Sequence, residues 1–164
     1  MPVKKVLVLS DGSEISRQAL RYAVEICNQF GAELNLLTVI EPLPAYVGAK
    51  VAKDLLDAAE ARMQNEIKTC SGYCETSGMV CRSAVRKGIP HDTIIDYAHE
   101  IDADLIILST HGRSGIRNAF MGNVAEKVVR HADCPVMTIR PGGRSWDFGA
   151  QGSCTLEPPP AGDA

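Results

Sequence analysis

The chain has 164 residues and a mass of 17.6 kDa, room for one α/β domain and too little for a second core. Hydrophobic residues make up 45% and charged residues 23%, so the chain can bury a core and is not of the disordered class. Its 17 basic and 20 acidic residues leave a net charge of -3, which supplies no field for drawing the domain onto nucleic acid or an anionic membrane.

At the start, Lys4 and Lys5 precede only Val6 to Leu9 before Ser10 and Asp11. That apolar run is too short for a signal sequence or a membrane span, and a cytoplasmic protein is expected. The 6 cysteines, Cys27, Cys70, Cys74, Cys81, Cys134 and Cys154, are then expected as reduced thiols rather than a disulfide framework.

Val3 to Leu9 reads as a buried strand closed by the turn Ser10-Asp11-Gly12-Ser13. Ser13 is placed to cap a helix in which Ile15, Ala19, Tyr22 and Ile26 recur at helical spacing and which Gly31 stops. Glu33 to Ile40 is the second strand. Pro42 and Pro44 then break the pattern, and from about Val47 a long amphipathic helix follows. Its apolar face is read as Val51, Leu55, Ala59, Met63 and Ile67, with Lys53, Asp57, Glu60, Arg62 and Glu66 elsewhere around it and Gly72 as its end.

The third strand is placed at Met79 to Val85, and Gly88-Ile89-Pro90 leads into a helix carrying Ile94, Ile95, Ala98 and Ile101. Asp104 to Ser109 is the fourth strand. A loop from His111 to Gly122 precedes a helix with Val124, Val128, Val129 and Ala132, and Pro135 to Arg140 is the fifth strand. The order βαβαβαβαβ implies a doubly wound open sheet of five parallel strands in one domain, residues 1–141. Residues 142–164, with Gly142, Gly143 and Pro158 to Pro160, read as a flexible tail.

In such sheets, ligands bind beyond the carboxyl ends of the strands. This selects Ser10 to Ser13, Val39 to Glu41, Ser109 to Gly115 and Gly122 to Val124. Gly112 and Gly115 permit close approach of backbone N–H groups to an anion, and Gly122-Asn123 opens a helix whose first donors are unpaired. Arg113 and Arg117 can add charge, while Asp11 can accept from ribose hydroxyls or an adenine amine. Taken singly, these residues read as well as turn formers.

There is no Gly-x-x-x-x-Gly-Lys-Ser/Thr and no Gly-x-Gly-x-x-Gly, so neither a P-loop nor a dinucleotide fingerprint is supported. The spacing of Cys70 and Cys74, with Cys81, His91 and His99 beyond, is not that of a paired-ligand zinc site. Cys81 is expected to be buried in its strand and Cys70 and Cys74 to be exposed or redox-reactive. For His111 the sequence points to no catalytic pairing, and no catalytic residue is assigned.

The segments Val6 to Glu14, Leu37 to Val39, Ser109 to Gly115 and Gly122 to Val136 together resemble the universal stress proteins over residues 3–141. The ATP-binding branch of that family carries Gly, two residues, Gly, nine residues, Gly and Ser or Thr. The same frame here holds Ser109, Gly112, Gly122 and Asn123, with the spacing kept and two residues changed. The resemblance implies ATP, carried with Mg2+. Adenine would lie near Asp11 and the Val39 backbone, with the phosphates wrapped by Gly112, Arg113, Ser114 and Gly115 and by Gly122, Asn123 and Val124. A stress-response sensor or regulatory module is expected, at most a slow ATP hydrolase. The alternative is a dimeric interaction protein of the same fold that binds no nucleotide. The apolar edge strand Val136, Met137, Thr138 and Ile139 is expected to pair antiparallel with a second copy, as the resemblance also implies. A regulatory protein partner is expected, and neither nucleic acid nor membrane.

Overall fold

The structure is a computed structural model that describes residues 2–111 and 121–142. Its elements run β1 (Lys5–Leu9), α1 (Glu14–Phe30), β2 (Glu33–Ile40), α2 (Ala49–Thr76), β3 (Cys81–Lys87), α3 (Pro90–Glu100), β4 (Leu105–Ser109), α4 (Asn123–His131) and β5 (Val136–Ile139). The alternation expected from the sequence is the one observed. All five strands are parallel, in the order β3-β2-β1-β4-β5. In the register, Val8 stands beside Leu36 on one side and Ile107 on the other.

Successive side chains of a strand point to opposite faces, and here both faces are covered. Val6, Val8, Leu34, Leu36 and Ile107 pack on Ala19, Ala23 and Cys27 of α1 and on Cys70 and Cys74 of α2. Leu7, Leu37, Ile106 and Leu108 meet Ile94, Tyr97 and Ala98 of α3 and Ala125 and Val128 of α4. The chain steps from β1 outward to β3 and then crosses to β4 and β5 on the other side. Right-handed connections therefore place α1 and α2 on one face and α3 and α4 on the other. Val6, Leu7 and Val8 are fully buried, and burial of each is worth about 1.5–3 kcal/mol. Among the described residues, no helix is long and apolar enough to cross a membrane.

The ends of α1 follow the sequence reading. Ser13 accepts a hydrogen bond from the Ser16 N–H, and Gly31 closes the helix in the left-handed conformation at φ 65. The far end of α2 does not. The helix runs through Gly72 to Thr76, because the closing geometry is supplied by Gly78 at φ 73. The Gly78 N–H donates to the Glu75 carbonyl at 2.9 Å and the Met79 N–H to the Cys74 carbonyl at 2.9 Å, the paired bonds of a left-handed helix stop. This shifts β3 to Cys81–Lys87, beyond the Met79 to Val85 expected. β1 begins at Lys5 rather than Val3, and β5 spans four residues rather than six.

The apolar face assigned to α2 is also corrected. Met63 is buried, but Val51 is 56% and Leu55 49% exposed. A helix of 28 residues is about 42 Å long, whereas the eight residues of β2 extend about 26 Å. The sheet can cover only part of α2, so its first half overhangs the carboxyl ends of the strands.

This boundary has a direct test in two glycines. A Cβ at Gly72 or at Gly78 meets nothing within 4 Å, but only Gly78 has a positive φ. Gly72→Ala should stabilise the protein by up to about 1 kcal/mol, whereas Gly78→Ala should destabilise it by about 1 kcal/mol. Urea midpoints that move in the same direction for both would contradict the observed helix end.

Candidate functional site

β1 and β4 are neighbours in the sheet, yet the helices that follow them lie on opposite faces. The turns leaving the two strands diverge, and a crevice opens between them. A cleft of about 640 Å³ occupies this place, bounded by Ser10 and Asp11, by Val39 to Glu41, by Leu108 to Thr110 and by Gly122 to Ala125. The structure thus brings Asp11, Val39, Ser109, Gly122, Asn123 and Val124 together. Gly112, Arg113, Ser114 and Gly115 lie outside the described residues, as does the expected tail from residue 143 onward.

One wall was absent from the sequence reading. The overhanging part of α2 contributes Leu55, Leu56, Ala59, Arg62 and Met63 to the cleft. It brings apolar surface and, at Arg62, a cation. The signal for it was the length of the helix relative to the strands, not any motif.

Asp11 begins a turn and also faces the cleft. Its Oδ1 accepts from the Ser13 N–H at 2.9 Å, so the turn reading and the site reading hold together. Ser109 ends β4, paired with Ile139. Among the described residues other than glycine, only Asp102 has a positive φ, so the Ser109 side chain sits there without backbone strain.

Gly122 is required for a reason of its own. It has φ -64, accessible to any residue, but its N–H donates to the Thr110 carbonyl at 2.7 Å. A Cβ built there would come within 2.9 Å of that oxygen. Gly122, not Asn123, is the N-cap of α4, and no side chain caps the helix. Asn123 is the first helical residue. Since the Gly122 amide is used internally, the anion-facing donors of this helix start at Asn123 and Val124. His111 follows this strand end, and its Nδ1 lies 2.9 Å from Thr110 Oγ1.

Behind the β1–α1 turn lies a buried polar group that the sequence reading placed off the apolar face of α2. Glu66 is only 6% exposed. Its Oε1 accepts from Ser10 Oγ at 3.1 Å, from Arg17 Nε at 3.3 Å and from Cys70 Sγ at 3.4 Å, and its Oε2 from Arg17 Nη2 at 2.9 Å. Burial pushes the Glu66 carboxyl up, but the bonds from Arg17, Cys70 and Ser10 outweigh it, and the net effect holds it below its ordinary range.

The cysteine expectations are reversed. Cys70 and Cys74 are buried, and Cys81 is half-buried. The inner stripe of α2 runs through Met63, Glu66, Cys70 and Cys74, which carries both thiols into the core. Burial, then the neighbouring Glu66 charge, pushes the Cys70 thiol up to about 12, and it stays neutral and unreactive at physiological pH. Among the described residues, no group of three His, Cys, Asp or Glu side chains converges on a metal-sized site.

An open doubly wound sheet with a cleft at its order reversal, floored by strand ends and a helix start, places the chain in the doubly wound α/β class. Comparison with known proteins places it further. Residues 2–140 match the universal stress protein family, and the chain belongs to that family. It is 30% identical over 140 residues to the universal stress protein MJ0531 of Methanocaldococcus jannaschii, covering 84% of this chain and 82% of that one. The solved structure of UspA from Lactobacillus plantarum superposes with a TM-score of 0.79 at 30% identity, covering 85% and 99% of the two chains. A universal stress protein in complex with cAMP superposes with a TM-score of 0.66 at 25% identity, over 85% and 98%.

The Glu66 cluster predicts a pH dependence of stability. A carboxyl held below its unfolded value contributes stability that is fully present above that value, 4.5 for glutamate, and is lost as pH falls through the folded value. Glu66→Gln should therefore destabilise the protein near neutrality, and the gap from wild type in urea unfolding should close as the pH drops below about 4. A gap that stays constant down to acid would show that the charge of Glu66 is not what holds the cluster.

Proposed function

We propose that the cleft binds an adenine nucleotide, ATP in the first instance, and that occupancy makes the protein a regulatory or sensor module of the stress response in the cytoplasm. The observation that carries this reading is the convergence of Asp11, Val39, Ser109, Gly122, Asn123 and Val124 on one cleft of about 640 Å³, a volume within the usual range for small-ligand sites. Its chemistry is divided as a nucleotide needs. Leu55, Leu56, Met63 and Ile94 offer apolar surface for a flat base, and Asp11 is an acceptor for ribose hydroxyls or the adenine amine. The Asn123 and Val124 amides at the start of α4 suit phosphate, with Gly112, Arg113, Ser114 and Gly115 proposed to complete the wrap. A relative of the same family has been solved with cAMP, which supports the ligand class.

Mg2+ fits this picture as a companion of the phosphates. It keeps most of its water and takes few protein ligands, so a nucleotide site needs no preformed carboxylate cage. No side chain is assigned to catalysis, and the reading requires binding, not turnover. Assembly is part of it: β5 leaves Val136, Met137, Thr138 and Ile139 along the sheet edge, and antiparallel pairing with a second copy would satisfy that edge. A regulatory protein partner would then read the occupied dimer.

Isothermal calorimetry with ATP should show saturable binding, and Asp11→Ala should weaken it by about 1–3 kcal/mol through loss of a charged acceptor. Asn123→Ser should change it by no more than about 1 kcal/mol. Sedimentation should give twice the 17.6 kDa chain mass. No heat with ATP, together with no nucleotide released by acid from the purified protein, would leave the non-binding dimer as the reading. A monomer at micromolar concentration would remove the dimer.

A further inference from the structure

We propose that Glu66 is a positioning residue of the cleft: it ties α2 to the β1–α1 turn and so sets the gap between the two walls that a ligand must fit. The consequence for binding rests on the nucleotide reading above; the tie itself does not.

The backbone donors of residues 11–13 are held by nearby side chains. The Asp11 N–H donates to Ser16 Oγ at 3.4 Å, the Gly12 N–H to Ser10 Oγ at 3.4 Å and the Ser13 N–H to Asp11 Oδ1 at 2.9 Å. These three bonds are internal to residues 10–16, and the Ser10 N–H holds the start of the turn to the Leu37 carbonyl of β2 at 3.0 Å, but none of them reaches α2. The link to α2 is Ser10 Oγ, which donates to Glu66 Oε1 at 3.1 Å. Arg17, in the first turn of α1, adds a second link to Glu66 Oε2 at 2.9 Å. The carboxylate also lies against the turn backbone, since a Cβ built on Gly12 would stand 3.7 Å from Oε2.

The place of Glu66 along α2 gives this tie its leverage. Cys70 and Cys74 pack into the core beneath the sheet face, whereas Leu55, Leu56, Ala59 and Arg62 wall the cleft. Glu66 stands where the helix passes from one part to the other. Nearer the overhang, Glu60 makes an exposed pair with Lys87 of β3 at 2.8 Å; Glu66 is the buried anchor, and the turn it holds carries Asp11 on the facing wall.

An ion pair kept for stability alone is the competing account, and the burial argues against it. A buried carboxylate loses hydration, and well-packed apolar residues often match or exceed a buried pair in stability. Position 66 falls between Met63 and Cys70 on the inner stripe, where an apolar residue would continue the pattern. What the carboxylate alone supplies is acceptor capacity for Ser10 and Arg17 at once.

Two variants separate the accounts. Glu66→Gln removes the charge, while Ser10→Ala cuts the link to the Gly12 amide and leaves the Glu66–Arg17 pair in place. In nucleotide-free protein, both should speed amide hydrogen exchange at residues 11–13 by about tenfold, with residues 19–24 in the middle of α1 unchanged. Both should also weaken ATP binding by about tenfold. Unchanged exchange at residues 11–13, or acceleration spread equally over α1, would overturn the positioning role and leave only a stabilising one. If the wild type binds no ATP, the nucleotide reading fails while the exchange result still decides the tie. If the turn loosens and ATP affinity holds, the gap does not govern binding and that part of the proposal is overturned.

Discussion

β1 is paired on both sides, with β2 and with β4, and the chain must leave the sheet in opposite senses from the two halves. Right-handed crossovers turn this into geometry: α1 and α2 cover one face, α3 and α4 the other. The consequence is a crevice at the carboxyl end of the β1–β4 pair, where neither set of helices closes the gap. Asp11, Ser109, Gly122, Asn123 and Val124 derive their positions from that single reversal. The apolar centre of β1, fully buried between two layers, is what makes the arrangement stable.

The second determinant is a mismatch of lengths. α2 is longer than the strands it covers, and its surplus becomes a wall of the cleft. A helix end hanging free of the sheet would be a poorly defined wall, and the cluster of buried Glu66, Ser10 and Cys70 with partly exposed Arg17 stands at the junction. The same residues that shape the β1–α1 turn thereby join two elements that are far apart in sequence.

Much of this was legible before the structure, for physical reasons that also explain the failures. Strand and helix alternation, the Ser13 cap and the Gly31 stop depend on local chemistry, and local chemistry can be read from one chain. The inner stripe of α2 was misread because strict spacing of four residues, as in Val51, Leu55, Ala59, Met63 and Ile67, drifts by about 40° at each step. Over that length the pattern leaves the buried face, and the observed stripe through Met63, Glu66, Cys70 and Cys74 mixes steps of three and four. A glutamate inside such a stripe has no local signature, since its partners Ser10 and Arg17 lie on another helix and its preceding turn. Gly72 and Gly78 are equally plausible stops by composition. What selects Gly78 is its left-handed φ of 73 and the amide bonds that close the helix there. Gly122 was singled out as the opening of a helix toward phosphate, whereas the requirement the structure gives it is the Thr110 carbonyl beside it, a contact across a loop that no spacing rule contains.

The central claim is that the crevice between β1 and β4 is where an adenine nucleotide binds. Titrating isotope-labelled protein with ATP and following backbone amide shifts tests it most directly. The account predicts that the largest changes fall on Asp11, Gly12, Val39, Ser109, Asn123 and Val124, with the amino-terminal edge around Gly31, Glu33 and Arg82 unmoved. Changes centred on that opposite edge, or none anywhere at saturating ATP, would contradict it.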